Sequence, residues 1–168
     1  AAGVEAFNKK IIAASPTVYD MAAYPKTLSG KTVTAYVNTH TDLSDELYRE
    51  GKLVSDNYKN ILRSQTNAAA IPAEVTVRYG VTVRRANLRN LPTGEGLFFY
   101  ASDRNFDALQ ETALDPGEAV AILHTSTNGY FYYVQAYNYR GWLSKFDVAE
   151  TDRSTWLRYA EPKNFLTV

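Results

Sequence analysis

The chain has 168 residues, which is enough for one ordinary domain or two small domains in contact. Its 18 basic and 18 acidic residues balance, so no long-range attraction draws nucleic acid or an anionic membrane to it. Cysteine is absent, which excludes disulfides, thiolate metal sites and a cysteine nucleophile within these residues.

Residues 1–74 are typical of helical and irregular structure. GVEAFNKKIIAA places its apolar residues near one helical face, and the proline of SPT ends that helix. SGKTVTAYVNTH fits either a helix behind a Ser29 cap or a strand rich in β-branched residues. THTDLSDELYREGKLVS predicts an exposed turn and loop, and DNYKNILRSQTN predicts a helix capped by Asp56. No run is long enough to span a bilayer, and AAGVEAFNKK lacks a signal peptide.

From residue 75 the hydrophobic period changes to two, which predicts a strand. The alternating apolar residues are Val75, Val77, Tyr79, Val81 and Val83. The alternation slips near Arg84 and Arg85, where we expect a bend or bulge.

Several short strands follow, separated by turns. LDPGE predicts a tight reversal into the apolar strand AVAILHTS, and Asn128-Gly129 predicts a hairpin into YFYYVQAY. NYRGWLSKFDVA predicts a turn, a short strand around Trp142 and a helical turn from Ser144 to Val148. Short strands at this spacing are typical of a small barrel or sandwich.

The order of four segments resembles the bacterial SH3-like domain of cell-wall proteins: ANLRNLP, ALDPGEAVAIL, NGYFYYVQ and YRGWLSKFDVA. The insertion TGEGLFFYASDRNFDALQET resembles the long first loop found in front of NlpC-type peptidoglycan endopeptidases. AFNKKIIA, YPKTLSGKTVTAYV, DNYKNILRSQTNAAAIP and VRYGVTVRRANLRNLPT resemble the helical stabilising segment that precedes the barrel in those enzymes.

The resemblance implies an α+β fold in which an N-terminal helical segment packs on a small all-β SH3-like barrel. We expect a stabilising segment at residues 1–74, a barrel at 75–150 with a long loop at 93–112, and a C-terminal extension or linker at 151–168. A barrel this small is marginal alone, so it needs the helices as a partner.

The resemblance also implies an extracytoplasmic protein whose partner is a peptidoglycan stem peptide or muropeptide. In the similar enzymes the catalytic Cys and His lie in a separate, C-terminal domain. This chain has no cysteine and ends at NFLTV, so we expect a non-catalytic accessory part, as a fragment or as a stand-alone protein that serves a peptidase domain. The alternative function is a protein-interaction module that binds an extended or proline-rich peptide.

The long loop is the first candidate site, since long loops are often functional. Tyr100 offers a flat surface, Asp103 and Asp107 can accept from a cationic amine, and Gln110 is an amide. The resemblance implies that such a domain helps to bind the amino end of the substrate peptide. The other reading is that the loop folds onto the barrel and its acids are solvated or cap turns.

The tyrosine-rich strand is the second candidate site, because 13 tyrosines are an unusual number for this length. Tyr130 and Tyr139 are the binding candidates here, although tyrosine is also a good strand residue. For Trp142 we favour core packing. Only one face of the strand can meet a ligand.

The sequence offers little for chemistry. His40 and His124 are the only histidines and lack a zinc spacing, so we expect no metal and no cofactor, and a structural hydrogen bond for His124. A free-standing hydrolase would need two carboxylates placed across a cleft, and Asp45 and Glu46 are one such pair of candidates. Nothing in the sequence places them across a cleft, so we expect them to be solvated charges.

Overall fold

The computed structural model describes residues 2–39 and 43–162. Its helices are α1 (Ala2–Ala14), α2 (Gly30–Thr39), α3 (Asp56–Gln65) and α4 (Arg153–Ala160), with 3₁₀ helices at Ala68–Ala70 and Lys145–Asp147. The strands are β1 (Thr27–Ser29), β2 (Tyr48–Arg49), β3 (Lys52–Leu53), β4 (Glu74–Thr76), β5 (Arg78–Thr82), β6 (Ala86–Arg89), β7 (Gln110–Leu114), β8 (Ala119–Thr125), β9 (Phe131–Gln135), β10 (Arg140–Ser144) and β11 (Val148–Thr151). In the described part of the chain, every helix is too short or too polar to cross a bilayer.

A seven-stranded antiparallel sheet forms the centre of the fold. Its strand order is β11-β5-β8-β9-β10-β6-β7. Two small sheets accompany it, one that pairs β1 with β4 and one that pairs β2 with β3. The fold class is therefore α+β, as predicted.

The sheet is apolar on both faces, because neighbouring residues of the central strands point to opposite sides. One face forms an inner core made of residues from the sheet itself: Ala86, Leu88, Leu114, Val120, Ile122, Val134, Ala136, Leu143 and Val148. All of these residues except Ala136, which directly follows β9, come from six of the seven strands, so the sheet curls around them.

The other face forms an outer core with the N-terminal segment and α4. Its buried members are Met21, Tyr24, Val33, Val37, Val75, Val77, Val81, Ala121, Leu123, Tyr133, Trp142 and Trp156. Of the helices, α2 and α4 therefore pack against the outside of the curled sheet. Trp142 is fully buried, as predicted, but it lies on this outer face and not inside with Leu143.

The sequence also predicted individual helices, helix caps and turns, and the structure can be compared with each of them. SGKTVTAYVNTH forms α2, and the Ser29 hydroxyl accepts from the backbone N–H of Thr32 at 3.1 Å. The cap of α3 is Ser55 rather than Asp56, since its side chain accepts from the Tyr58 N–H. The predicted turns at Gly117 and Gly129 have left-handed glycines, with φ of 90° and 72°.

The segment predicted as an exposed loop is partly structured. It contains the β2–β3 hairpin, and its leucines Leu43 and Leu47 are 3% exposed. They are buried because the long loop between β6 and β7 folds over them. His40 lies outside the described residues.

The segment assigned to a C-terminal extension contributes to the core. Trp156 of α4 is fully buried, its ring centroid lies 4.8 Å from that of Tyr79, and its indole N–H donates to the Val120 carbonyl at 3.1 Å. We therefore propose that the barrel unit extends through α4. Residues 163–168 lie outside the described residues.

Candidate functional site

The long loop runs between the end of β6 at Arg89 and the start of β7 at Gln110. Residues 110–112, which we assigned to the loop, instead form β7, because Gln110 pairs with Arg89 and Thr112 pairs with Leu88. Within the loop, Leu91, Leu97 and Leu109 are 0–1% exposed. The loop is therefore a folded element with its own interior.

That interior, the loop core, joins the loop to the N-terminal segment. Its buried residues are Leu43, Leu47, Val54, Leu62, Leu91, Leu97 and Leu109, with Tyr58 and Ala108 packed against them. A backbone bridge reinforces it: the Tyr48 N–H donates to the Phe98 carbonyl at 2.7 Å, and the Phe98 N–H donates back at 2.9 Å. The loop and the β2–β3 hairpin thus support each other.

Asp107 is built into the frame of the loop. One carboxylate oxygen accepts from the backbone N–H groups of Leu97 and Leu109 at 3.1 and 3.0 Å, and the other lies 2.7 Å from Nη1 of Arg89. The Arg89 and Asp107 side chains are only 6% and 17% exposed. A carboxylate with both oxygens engaged and mostly buried has little capacity for a ligand amine, so we leave Asp107 out of the proposed site.

A second polar cluster fixes the loop to α3. Glu95 accepts from the Tyr58 hydroxyl and from Nη1 of Arg49, the latter at 2.8 Å. These two hydrogen bonds, first that of Tyr58, hold the pKa of the Glu95 carboxyl below its ordinary value. The Arg49 guanidinium also lies over the Tyr58 ring, 4.8 Å from its centroid.

The tip of the loop exposes aromatic side chains. Tyr100 is 71% exposed, Phe106 78% and Phe99 48%. Asp103 shapes this tip because one of its oxygens accepts from the backbone N–H of Asn105 at 2.8 Å. Backbone donors, that of Asn105 above all, lower the pKa of Asp103, so its exposed carboxyl is charged at neutral pH.

The turn between β9 and β10 carries a second group of tyrosines. Tyr137 and Tyr139 are 51% and 42% exposed. Beside them the Arg140 guanidinium lies over the ring of Tyr36, 3.7 Å from its centroid, and donates to the Tyr19 hydroxyl at 2.7 Å. The N-terminal segment therefore meets the sheet at this turn through a cation held between tyrosines.

Residues 97–144 match the family model of the SH3 domain (SH3b1 type). This part of the chain is a bacterial SH3 domain. The matched residues run from the loop core to the end of β10, so the SH3 domain includes the aromatic loop tip and the tyrosine turn.

A solved structure gives a second comparison. An NlpC/P60 endopeptidase from Photobacterium damselae subsp. piscicida is similar in fold, with a TM-score of 0.59 and 21% sequence identity. The similarity covers 75% of this chain, which is more than the SH3 domain alone, and 29% of the endopeptidase chain. The chain thus spans less than a third of that enzyme. No curated protein matches the chain significantly.

The strand directions show which predicted site residues share one end of the SH3 domain. Tyr139 lies in the β9–β10 turn, and β10 runs antiparallel to β6, with Trp142 opposite Arg89. The end of β6 and the start of β7 at Gln110 therefore lie at the same end of the sheet as Tyr139. We call this the loop end, and the long loop that carries Tyr100 and Asp103 begins and finishes there.

Tyr130 lies at the other end. It precedes β9, whose five residues span about 17 Å before the β9–β10 turn. There its ring lies 5.9 Å from that of Phe146, centroid to centroid, with the Lys145 ammonium 5.6 Å from the Tyr130 ring. Sequence reasoning missed Phe146, which is 61% exposed, because it treated this segment only as a helical turn.

The remaining candidates have structural partners. Nε2 of His124 lies 3.0 Å from the Asn67 carbonyl, the structural role predicted for it, and burial lowers the pKa of the ring below its ordinary value. Among the described residues no three His, Asp or Glu side chains gather as a metal site would require.

A shallow groove of about 320 Å³ lies beside the β2–β3 hairpin and includes none of the predicted site residues.

Proposed function

We propose that this chain is a non-catalytic module of the bacterial cell envelope that binds or positions a peptidoglycan stem peptide, as the accessory part of a cell-wall endopeptidase. The observation that carries the proposal is the fold similarity to an NlpC/P60 endopeptidase, which covers 75% of the chain and so includes more than the SH3 domain. An SH3 domain of this bacterial type supports a cell-wall-associated accessory role.

The proposed binding surface is the loop end of the SH3 domain. We assign to it the exposed rings of Tyr100 and Tyr139, the amide of Gln110 and the carboxylate of Asp103. Exposed tyrosines provide flat apolar area and a polar tip at low entropic cost. A stem peptide offers amines, carboxylates and short side chains, which suit such a mixed surface.

Asp103 is the residue proposed to receive the amino group of the peptide. Its Oδ1 accepts from the backbone N–H groups of Asn105 and Phe106, which fixes the carboxyl group in place, and Oδ2 takes part in neither of these two bonds. A charged and fixed acceptor of this kind can take a charge-assisted hydrogen bond from an ammonium group. This is the role that we first gave to Asp107 as well.

The catalytic group of such an enzyme would have to come from another domain. Cysteine is absent from the 168 residues, so the thiolate of a cysteine peptidase is supplied elsewhere, either C-terminal to this part or on a separate protein. The proposed location is extracytoplasmic, since the polymer that the module would bind lies outside the cytoplasmic membrane.

The test is a co-sedimentation assay on purified, insoluble peptidoglycan. We expect the full chain to sediment with it, and Tyr139→Ala and Asp103→Asn each to weaken binding at least about fivefold, as truncation of an interface anchor does. Tyr159→Ala is the matched control, because Tyr159 is 50% exposed on α4, outside the loop end. Tyr130→Ala examines the opposite end of the domain.

Two results would contradict the proposal. One is an absence of binding both for the chain alone and for the chain joined to a Cys- and His-bearing catalytic domain. The other is binding that Tyr130→Ala abolishes while both loop-end variants leave it unchanged, which would move the site to the opposite end.

A further inference from the structure

The β2–β3 hairpin has one edge that is paired and one that is open. Tyr48 exchanges both of its backbone hydrogen bonds with Phe98, so its N–H and C=O point away from β3. Tyr48 is opposite Leu53 in the hairpin, which makes this pair a non-hydrogen-bonded one. The next pair is hydrogen-bonded, since the Val54 N–H donates to the Leu47 carbonyl at 2.8 Å.

By the same alternation, the N–H and C=O of Leu53 point outward, away from β2. The sheet of β2 and β3 has two strands, and among the described residues nothing else pairs with the outer side of β3. Leu53 is itself 58% exposed. An open strand edge with an exposed apolar side chain is a template for another extended chain.

A groove of about 320 Å³ flanks this edge. It is lined by Arg49, Glu50, Lys52, Leu53, Val54, Ser55 and Tyr58. Arg49 and Lys52 are opposite each other across the hairpin, so both side chains lie on one face, the face of the Tyr58 ring. Leu53 projects from the other face.

One positive charge on that face makes no ion pair. Like charges directly across a pair of strands are unfavourable, and here Arg49 is compensated by Glu95 at 2.8 Å. The Lys52 side chain is exposed, and among the described residues no ion pair joins its ammonium to a carboxylate, that of Glu50 in the same groove included. A carboxylate supplied from outside would complete the cluster.

We propose that the open edge of β3 docks an extended peptide segment in antiparallel orientation. One apolar residue of the segment exchanges both backbone hydrogen bonds with Leu53 and packs on its side chain. The following residue is then opposite Lys52, on the charged face, and is acidic. This site lies on the outer edge of β3, whereas the long loop bonds to β2 on the other edge of the hairpin, and it does not depend on the proposed function.

The probe is a capped hexapeptide of sequence STVETS, titrated into the ¹⁵N-labelled full chain and followed by NMR. We expect the Leu53 amide signal to shift as the valine pairs with it. N-methylation of the valine removes the N–H that donates to Leu53 and should abolish the shift. N-methylation of the glutamate, whose N–H points away from β3, serves as the control and should retain it.

A charge-reversal exchange tests the acidic position. Lys52→Glu should weaken binding of STVETS about two- to fivefold, the range for an exposed ion pair, and should favour the peptide STVKTS by a similar factor. Lys31→Glu on α2, another exposed lysine, should leave both affinities unchanged.

The proposal is overturned if the Leu53 amide does not respond, or if the peptide N-methylated at valine binds equally well. It is also overturned if the Leu53 amide of the free protein is protected from hydrogen exchange and this protection increases with protein concentration. The occupant of the edge would then be a second copy of this chain.

Discussion

The Arg89–Asp107 pair gives the most direct test of how the long loop is held. Asp107→Asn keeps an oxygen for the N–H groups of Leu97 and Leu109, but it removes the charge that lies 2.7 Å from Nη1 of Arg89. Arg89 is 5% exposed, so its guanidinium would be left buried with only the Glu95 carbonyl, at 2.6 Å, as a partner. Leaving a buried charge without its partner costs about 3–5 kcal/mol.

We therefore expect Asp107→Asn to lower the free energy of unfolding by about 3 kcal/mol in urea denaturation, followed by tryptophan fluorescence. The double variant with Arg89→Met removes the orphaned cation as well and should recover about 1–2 kcal/mol of that loss.

The control is Asp115→Asn, which breaks the Arg85–Asp115 pair. Its length is also 2.7 Å, but its side chains are 68% and 71% exposed. Solvent screens such an exposed pair, so Asp115→Asn should lower the free energy of unfolding by less than about 1 kcal/mol. The reasoning is refuted if both single variants lose the same free energy, because burial would then have no part in the effect.

Three further predictions concern packing and pH. Gly30→Ala should lower the free energy of unfolding in urea by about 1–3 kcal/mol, because a Cβ there would lie 1.9 Å from a backbone oxygen. The control Gly3→Ala, where a Cβ would meet open space, should be neutral or slightly stabilising. Equal effects of the two substitutions would contradict this reasoning. Hydrogen bonds from the residues that follow Asp152 hold its pKa well below the ordinary value, so its cap on α4 stabilises fully above about pH 3.9 and is lost as the pH falls further. Asp152→Asn should therefore flatten the dependence of Tm on pH between about 5 and 2, and an unchanged slope would exclude the cap as its cause. Burial lowers the pKa of His124, so the unfolded chain binds the proton more tightly than the folded chain, and the free energy of unfolding falls as the pH drops below about 6.5. In a series of urea melts at different pH, His124→Gln should remove this decrease. A decrease that persists in the variant would assign it to another group.

The strands were predictable because their signal is local. Alternation from Val75 onward, the Pro-Gly reversal and the Asn-Gly hairpin each depend on neighbours within a few residues. The two turns lie where the sequence placed them, whereas the alternating run is divided into β4 and β5, which belong to different sheets, and Val83 at its end is 56% exposed. Trp142 was also predicted to be buried, and it is. Its position outside the curled sheet was not predictable, since that depends on which face the N-terminal segment covers.

The interior of the long loop could not be read from the sequence. Four leucines from three different segments meet in one core and follow no common period: Leu43, Leu62, Leu97 and Leu109. The role of Asp107 was missed for the same reason, because its partner lies 18 residues earlier on a strand. The sequence carried no local signal for this pair, since an arginine directly after an inward-facing leucine is expected on the opposite face of a strand.

The same packing restricts where this protein can bind anything. The seven-stranded sheet is covered on one side by its own curl and on the other by the N-terminal segment and α4. A ligand that needed either face would have to displace a hydrophobic core, which costs far more than a surface contact returns. On the sheet, binding is therefore directed away from both faces and toward the ends and edges of its strands. The exposed tyrosines of the SH3 domain follow that restriction: Tyr100 and Tyr139 belong to connections at the loop end, and Tyr130 precedes β9 at the other end.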